Sequence, residues 1–263
     1  MSAAAKGAMA VGPAPGLAAP LSVDSGSGTR AMAGEGEGRA TFLRCASGSA
    51  IVAMTDAERA ALWRQRLHEA EAGLTRLLVA RGAGVDLKTW FGLQAEVFAD
   101  LPPSSTDEPA EWQRIFFRGQ ALMERFLVSR YGEDVLADWA ASNAEVHRTV
   151  EPDRDGGAAD PIRRITRQAE LYGSEYELDV PQDPELAATA SVTITHCAIW
   201  DYREKARSSG VRLTLASPCT YCTKSMSANV RAKGYQVSYQ LHQDGSGHGC
   251  HWRATAPDTA QEA

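Results

Sequence analysis

A chain of 263 residues, 44% hydrophobic and with a formal charge of −6, has the composition of one or two globular domains. Its mild acidity supplies no electrostatic footprint for nucleic acid or an anionic membrane, and no apolar run approaches the ~20 residues that a membrane span requires. Five cysteines, four of them in the C-terminal third, are an odd and unevenly placed set that argues against a secreted disulfide scaffold and for a reducing cytoplasm.

Residues 1–53 are dominated by Ala, Gly, Ser and Pro, as in AMAVGPAPGLAAP and GEGEGRA, and offer no periodic apolar face. They are expected to form a disordered extension. Pro13, Pro15 and Pro20 interrupt the only candidate for a secretory signal core, and the segment carries few of the arginines of a transit peptide. Met54-Thr55-Asp56-Ala57-Glu58 has the form of a natural chain start running into a helix. Residues 54–263 are therefore read as a single α+β domain, with a helical part over 54–175 and a cysteine-rich sheet and helix part over 176–256.

Thr55 and Glu58 have the spacing of a capping box, and Trp63, Leu67, Ala70, Leu74, Leu77 and Leu78 recur at helical spacing until Gly82 and Gly84. A second helix is predicted over Leu87 to Phe98, ending before Pro102-Pro103. A third has Pro109 in its first turn and one stripe from Ile115 to Leu127 before Gly132. A fourth carries Val135, Leu136, Trp139, Ala140, Asn143 and Val146. After a polar loop, Asp153 to Ala159, a fifth is expected around Ile162, Ile165, Ala169 and Tyr172. These stripes are assigned to core, and His68 and His147 to surface or edge positions.

From Ser191 the pattern changes. Val192 to His196 alternates with the period of a half-buried strand, and two helices should follow, each bordered by a cysteine. Ser217-Pro218 ahead of Cys219-Thr220-Tyr221-Cys222 reads as an N-cap with proline at the first helical position. A hairpin closes the domain: Tyr235, Val237, Tyr239 and Leu241 share one face, and beyond Asp244-Gly245-Ser246-Gly247 the chain returns with Cys250 and Trp252 on the matching face. The expected architecture is a helical bundle packed on a small, mainly antiparallel sheet.

No P-loop, dinucleotide-binding turn, GxSxG elbow or HExxH helix occurs in the chain, which leaves thiol, imidazole or metal chemistry. Cys219 and Cys222 fall one turn apart at a helix start, where unpaired N–H groups favour a thiolate and Lys224 adds positive charge. The competing reading makes these cysteines small buried hydrophobes. No cofactor is required, although zinc is an alternative: Cys219-x-x-Cys222 supplies two ligands and His248-Gly249-Cys250-His251 two more, against a strand alternation that puts Cys250 and His251 on opposite faces.

Ile194-Thr195-His196-Cys197, the region of Cys222, and Gly249-Cys250-His251-Trp252-Arg253, together with the lead-in Tyr172-Gly173 and Tyr176 to Val180, resemble the L-2-amino-thiazoline-4-carboxylic acid hydrolase family. The resemblance covers about half of the chain by motif, from about Asp134 onward. It departs at Ser225, where the family has an acidic residue, and at Trp252, where it has phenylalanine. The glycine before the last cysteine is displaced among Gly245, Gly247 and Gly249. The family's reaction opens a small ring at a C=N bond by adding water to the amidine-like carbon.

The resemblance thus implies a hydrolase-like enzyme acting on a small cyclic C=N substrate, by thiol-assisted or water-activated addition. Cys222 or Cys219 would be the nucleophile, His196 or His251 the acid/base, and Lys224, Arg253 and Trp252 would hold the substrate. Two alternatives stay open: a specialised-metabolite tailoring enzyme with a different reaction, and a non-catalytic small-molecule-binding module. A homo-oligomer is compatible with either.

Overall fold

The computed structural model describes residues 53–181, 188–244 and 247–257, so the expectation for residues 1–53 falls, apart from Ala53, outside the described residues, as do the turn residues Gly245 and Ser246. Five helices come first: α1 (Asp56–Ala80), α2 (Gly84–Phe98), α3 (Pro109–Tyr131), α4 (Val135–Val150) and α5 (Ala159–Tyr172). The C-terminal part runs β1 (Glu175–Asp179), β2 (Thr189–His196), α6 (Ala198–Ser208), α7 (Cys219–Ala232), β3 (Gln236–Asp244) and β4 (Gly247–Thr255). The fold is α+β, with the helical part first and the small antiparallel sheet in the C-terminal half.

The capping box forms as the sequence predicts: the Thr55 hydroxyl accepts the Glu58 N–H at 3.2 Å, and the Glu58 carboxylate accepts the Thr55 N–H at 2.8 Å. Pro109 opens α3, where its missing N–H removes no helical bond. Helix α2 starts three residues before its predicted start, with Gly84 as its first residue, because the Ala83 carbonyl accepts the Leu87 N–H at 2.8 Å and recruits Val85 and Asp86 into the first turn.

Helix α1 packs on both α3 and α4. Its Trp63 meets Phe116, Phe117 and Tyr172 in one aromatic cluster, with ring centroids 4.8–5.6 Å from the indole. Gly73 permits the close approach of α1 to α4, since a Cβ there would lie 1.7 Å from the Asn143 Oδ1 and 2.9 Å from its Cα. Helix α7 joins the two parts by packing on α4 and, through Met226 and Val230, on the apolar face of the sheet.

The sheet order is β1-β2-β4-β3, antiparallel throughout. In β4, Cys250 pairs with Ile194 and Leu241, and Trp252 with Val192 and Tyr239. The hairpin alternation is therefore the one read from the sequence, with Cys250, Trp252 and Ala254 on the helix-covered face and His251 and Arg253 on the other. Among the described residues, no helix is long and apolar enough to cross a membrane.

His147 corrects its assignment to an edge position. It is 2% exposed, inside an ion cluster that ties α1, α4 and α5 together. Arg66 donates to both oxygens of Glu69 at 2.9 and 2.7 Å and to Glu151 at 3.2 Å, and Arg164 bonds the same two carboxylates at 3.2 and 3.1 Å. Burial pushes the Glu69 carboxyl up, but the His147 ring and Arg66 outweigh it and hold the group at about 2. His147 Nδ1 stands 3.7 Å from Glu69, beyond ordinary hydrogen-bond reach, so Arg66 is the more secure source of the lowering.

A carboxyl held at about 2 against an ordinary 4.5 contributes stability that is fully present above 4.5 and is lost as pH falls through 2. The melting temperature should fall across that window, and Glu69→Gln should flatten the fall. At neutral pH the same variant should cost ~3–5 kcal/mol, because it leaves two arginines buried against a neutral partner. Denaturant unfolding as a function of pH measures both effects.

Candidate functional site

Two cavities meet at the start of α7. Strand β2 ends at His196 and hands the chain to Cys197, whose extended backbone caps α6. The Cys197 N–H donates to the His248 carbonyl at 2.9 Å, which fixes the start of α6 against β4. At α7 the Ser217 hydroxyl accepts the Cys219 N–H at 3.1 Å, the bond expected of an N-cap, although helical geometry begins at Cys219 with Pro218 in the cap position. Cys219 and Cys222 then lie one turn apart.

The larger cavity, about 370 Å³, is enclosed by the starts of α6 and α7 and by the hairpin. All four cysteines of the C-terminal part line it, with His248, Trp200, Leu241 and Trp252. The His248 ring stacks on the Trp200 indole at 3.5 Å, and the Trp252 Nε1 donates to the Cys250 sulfur at 3.1 Å. A smaller cavity of about 120 Å³ lies on the side of the helical part, and Cys222, Pro218 and Ile199 line both. Its lining combines apolar side chains with Arg66, Glu69, Glu124, Arg164, Tyr172 and Arg203. Arg203 donates to both oxygens of Glu124 at 2.7 and 2.9 Å, and Glu124 is 2% exposed.

Burial dominates the electrostatics of the thiols. Cys222 keeps intermediate exposure where it faces the cavities, yet protein atoms surround it as fully as a core residue. Burial, followed by the neighbouring Cys250, Cys197 and Cys219, pushes its thiol well above the ordinary 9.0, and Arg203 opposes this only weakly. Burial likewise pushes Cys250 up to about 12 and raises Cys197, the latter against opposing N–H groups of Trp200 and Ile199. At Cys222 burial thus works against the thiolate that a helix start would favour.

The other expected site residues divide. Cys219 and Trp252 line the larger cavity. His196 does not; its Nε2 pairs with Asp201 at 2.5 Å beside that cavity. His251 lies on the far face of the sheet, its Nδ1 3.0 Å from the Thr193 hydroxyl, and Arg253 is exposed on that face too. Both are corrected as cavity residues, since strand alternation turns them away from Cys250. Lys224 faces α4, donates to the Thr220 carbonyl at 3.2 Å and borders a shallow depression with Ala137, Ala141 and Glu145. It is corrected for the same kind of reason, being two residues from Cys222 on a helix and hence on another face.

The four zinc ligands read from the sequence are not brought together. Among the described residues no three His, Cys, Asp or Glu side chains group as metal ligands, and His251 lies across the sheet from Cys250. The residues that sequence reasoning missed are Trp200, His242, Arg203 and Glu124, with His248 considered only as a metal ligand; His242 lines the larger cavity beside His248 although strand alternation assigned it to the other face. His248 was recoverable, since it shares the parity of Cys250. Arg203 and Glu124 lie 79 residues apart and meet only through tertiary packing.

No family model, curated protein or solved structure matches the chain.

The buried thiols set a direct expectation. Iodoacetamide at neutral pH should label Cys222 and Cys250 at least about tenfold more slowly in the folded protein than in denaturant, because each unit a thiol rises cuts its thiolate fraction about tenfold. Site-resolved mass spectrometry reads this. Fast native labelling of Cys222 would contradict the burial argument.

Proposed function

We infer that the protein is a hydrolase-like enzyme that opens a small cyclic C=N compound, of thiazoline or amidine type, by water activation in the larger cavity. The observation that supports this best is the convergence of four free cysteines and His248 on one chamber of about 370 Å³, within the ~300–1,000 Å³ range of small-molecule sites. The resemblance to the L-2-amino-thiazoline-4-carboxylic acid hydrolase family points to the same substrate class.

In this reading His248 is the acid/base. It takes a proton from water as the oxygen bonds to the C=N carbon, and the displaced π pair moves to the ring nitrogen, which receives that proton. The hydroxyl proton of the intermediate then passes through His248 to the leaving ring atom as its bond to carbon breaks and a carbonyl forms. The net change is the addition of one water. Cys222 stays protonated and donates a hydrogen bond from the cavity wall, as its raised thiol favours. Arg203, which lines the adjoining cavity, takes the place of Lys224 and Arg253 as the group facing a polar end of the substrate.

A second reading, a binding module without turnover, is favoured by one feature: among the described residues no Asp, Glu, Lys or Arg lines the larger cavity to stabilise developing charge. A screen of cyclic amidines and thiazolines by mass spectrometry separates the two. Ring opening should appear in the wild type and fall about 10²–10⁴-fold in His248→Gln with the melting temperature little changed. Cys222→Ser should keep turnover within about tenfold, as the hydroxyl also donates a hydrogen bond. Abolished turnover in Cys222→Ser alone would restore the thiolate route, and saturable binding with no product would favour the binding module.

A further inference from the structure

Of the four thiols in the larger cavity, Cys219 and Cys222 alone share one element. Cys219 is the first residue of α7 and Cys222 stands one turn on; both are free and both line the cavity. Three residues of helix place their Cα atoms about 5 Å apart. A disulfide spans ~4.4–6.8 Å between Cα atoms, so this pair can close without moving α7 against the sheet. Cys197 precedes α6 and Cys250 lies in β4, where its sulfur already accepts the Trp252 Nε1–H at 3.1 Å.

The two sulfurs are placed differently. No acidic residue occupies the first turn of α7, and the helix dipole there favours charge developing on an attacking sulfur at Cys219. Cys222 lines both cavities, and burial pushes its thiol well above the ordinary 9.0, so it holds its proton until a partner is bonded beside it. An attacking thiol at the helix start and a protonated one behind it are the two parts that thiol–disulfide exchange requires.

We propose that Cys219 and Cys222 form a redox-active dithiol that exchanges with a small uncharged disulfide admitted to the larger cavity. Cys219 gives its proton to water and its sulfur bonds to one sulfur of the substrate, whose S–S bond breaks; the leaving thiolate takes up a proton. Cys222 then gives up its proton and its sulfur bonds to the Cys219 sulfur, closing the protein disulfide as the second substrate thiolate leaves and is protonated. The two protein thiols lose two electrons, and the substrate disulfide gains them to become two thiols. A small thiol runs the same steps backwards. The substrate is uncharged because, among the described residues, no Asp, Glu, Lys or Arg lines the chamber.

This activity goes beyond the ring opening proposed above, and its test uses no cyclic C=N compound. The reduced full chain is mixed with bis(2-hydroxyethyl) disulfide, quenched by alkylation at intervals and mapped by mass spectrometry. The wild type should pass through a mixed disulfide on Cys219 and end with a Cys219–Cys222 disulfide. Cys222→Ser should accumulate the mixed disulfide on Cys219, whereas in Cys219→Ser the Cys222 thiol should react at least about tenfold more slowly. Thermal melts establish that each variant is folded, and the wild-type map decides the matter by itself if either is not. A wild type that forms no disulfide, one that joins Cys222 to Cys250 or Cys197, or a folded Cys219→Ser variant in which Cys222 reacts as fast as Cys219 does in the wild type would each overturn the proposal.

Discussion

The two-sided hydrogen bonding of β4 is the constraint on which the site depends. Held between β2 and β3, the strand has no freedom to slip by a residue, because a slip would turn Trp252 and Ala254 out of the core and bring Arg253 in. That register presents His248, Cys250 and Trp252 to the helices and sends His251 and Arg253 to the far face. Helix α7 completes the arrangement by docking Met226 and Val230 on the sheet, which carries Cys222 to the cavity wall.

Desolvation decides what the site can do. A cysteine at a helix start is ordinarily a candidate thiolate, but here four thiols crowd one chamber that no Lys or Arg lines among the described residues, and each is a poor neighbour for charge on the next. Charged groups line the smaller cavity instead, tied into pairs: Arg203 with Glu124, and Arg66 and Arg164 with Glu69 and with Glu151 behind it. The thiol-lined chamber thus abuts a cavity with ion pairs in its wall, and Cys222 lines both. That division suits a neutral ring in one and a polar substituent near the other.

Local signals in the sequence carried most of the fold. The capping box at Thr55, proline at the start of α3 and the alternation in β4 each act over a few residues and are visible there. The strand β1 is absent from that reading, although Tyr176 and Leu178 alternate with acids, because five residues with three charges resemble a loop. The site was legible only in part. Parity separates Cys250 from His251 and would have selected His248, whereas the burial of Cys222, the Arg203–Glu124 pair and the place of His147 arise from helices distant in sequence.

The central claim is that one ligand occupies the chamber shared by the four C-terminal cysteines. Ligand protection tests it: the protein is alkylated at raised pH with and without a saturating cyclic thiazoline or amidine, and each of the four cysteines is quantified by mass spectrometry against a denatured sample. The account predicts that Cys197, Cys219, Cys222 and Cys250 are protected together. Equal labelling of all four with and without ligand, across compounds shown to bind, would contradict it.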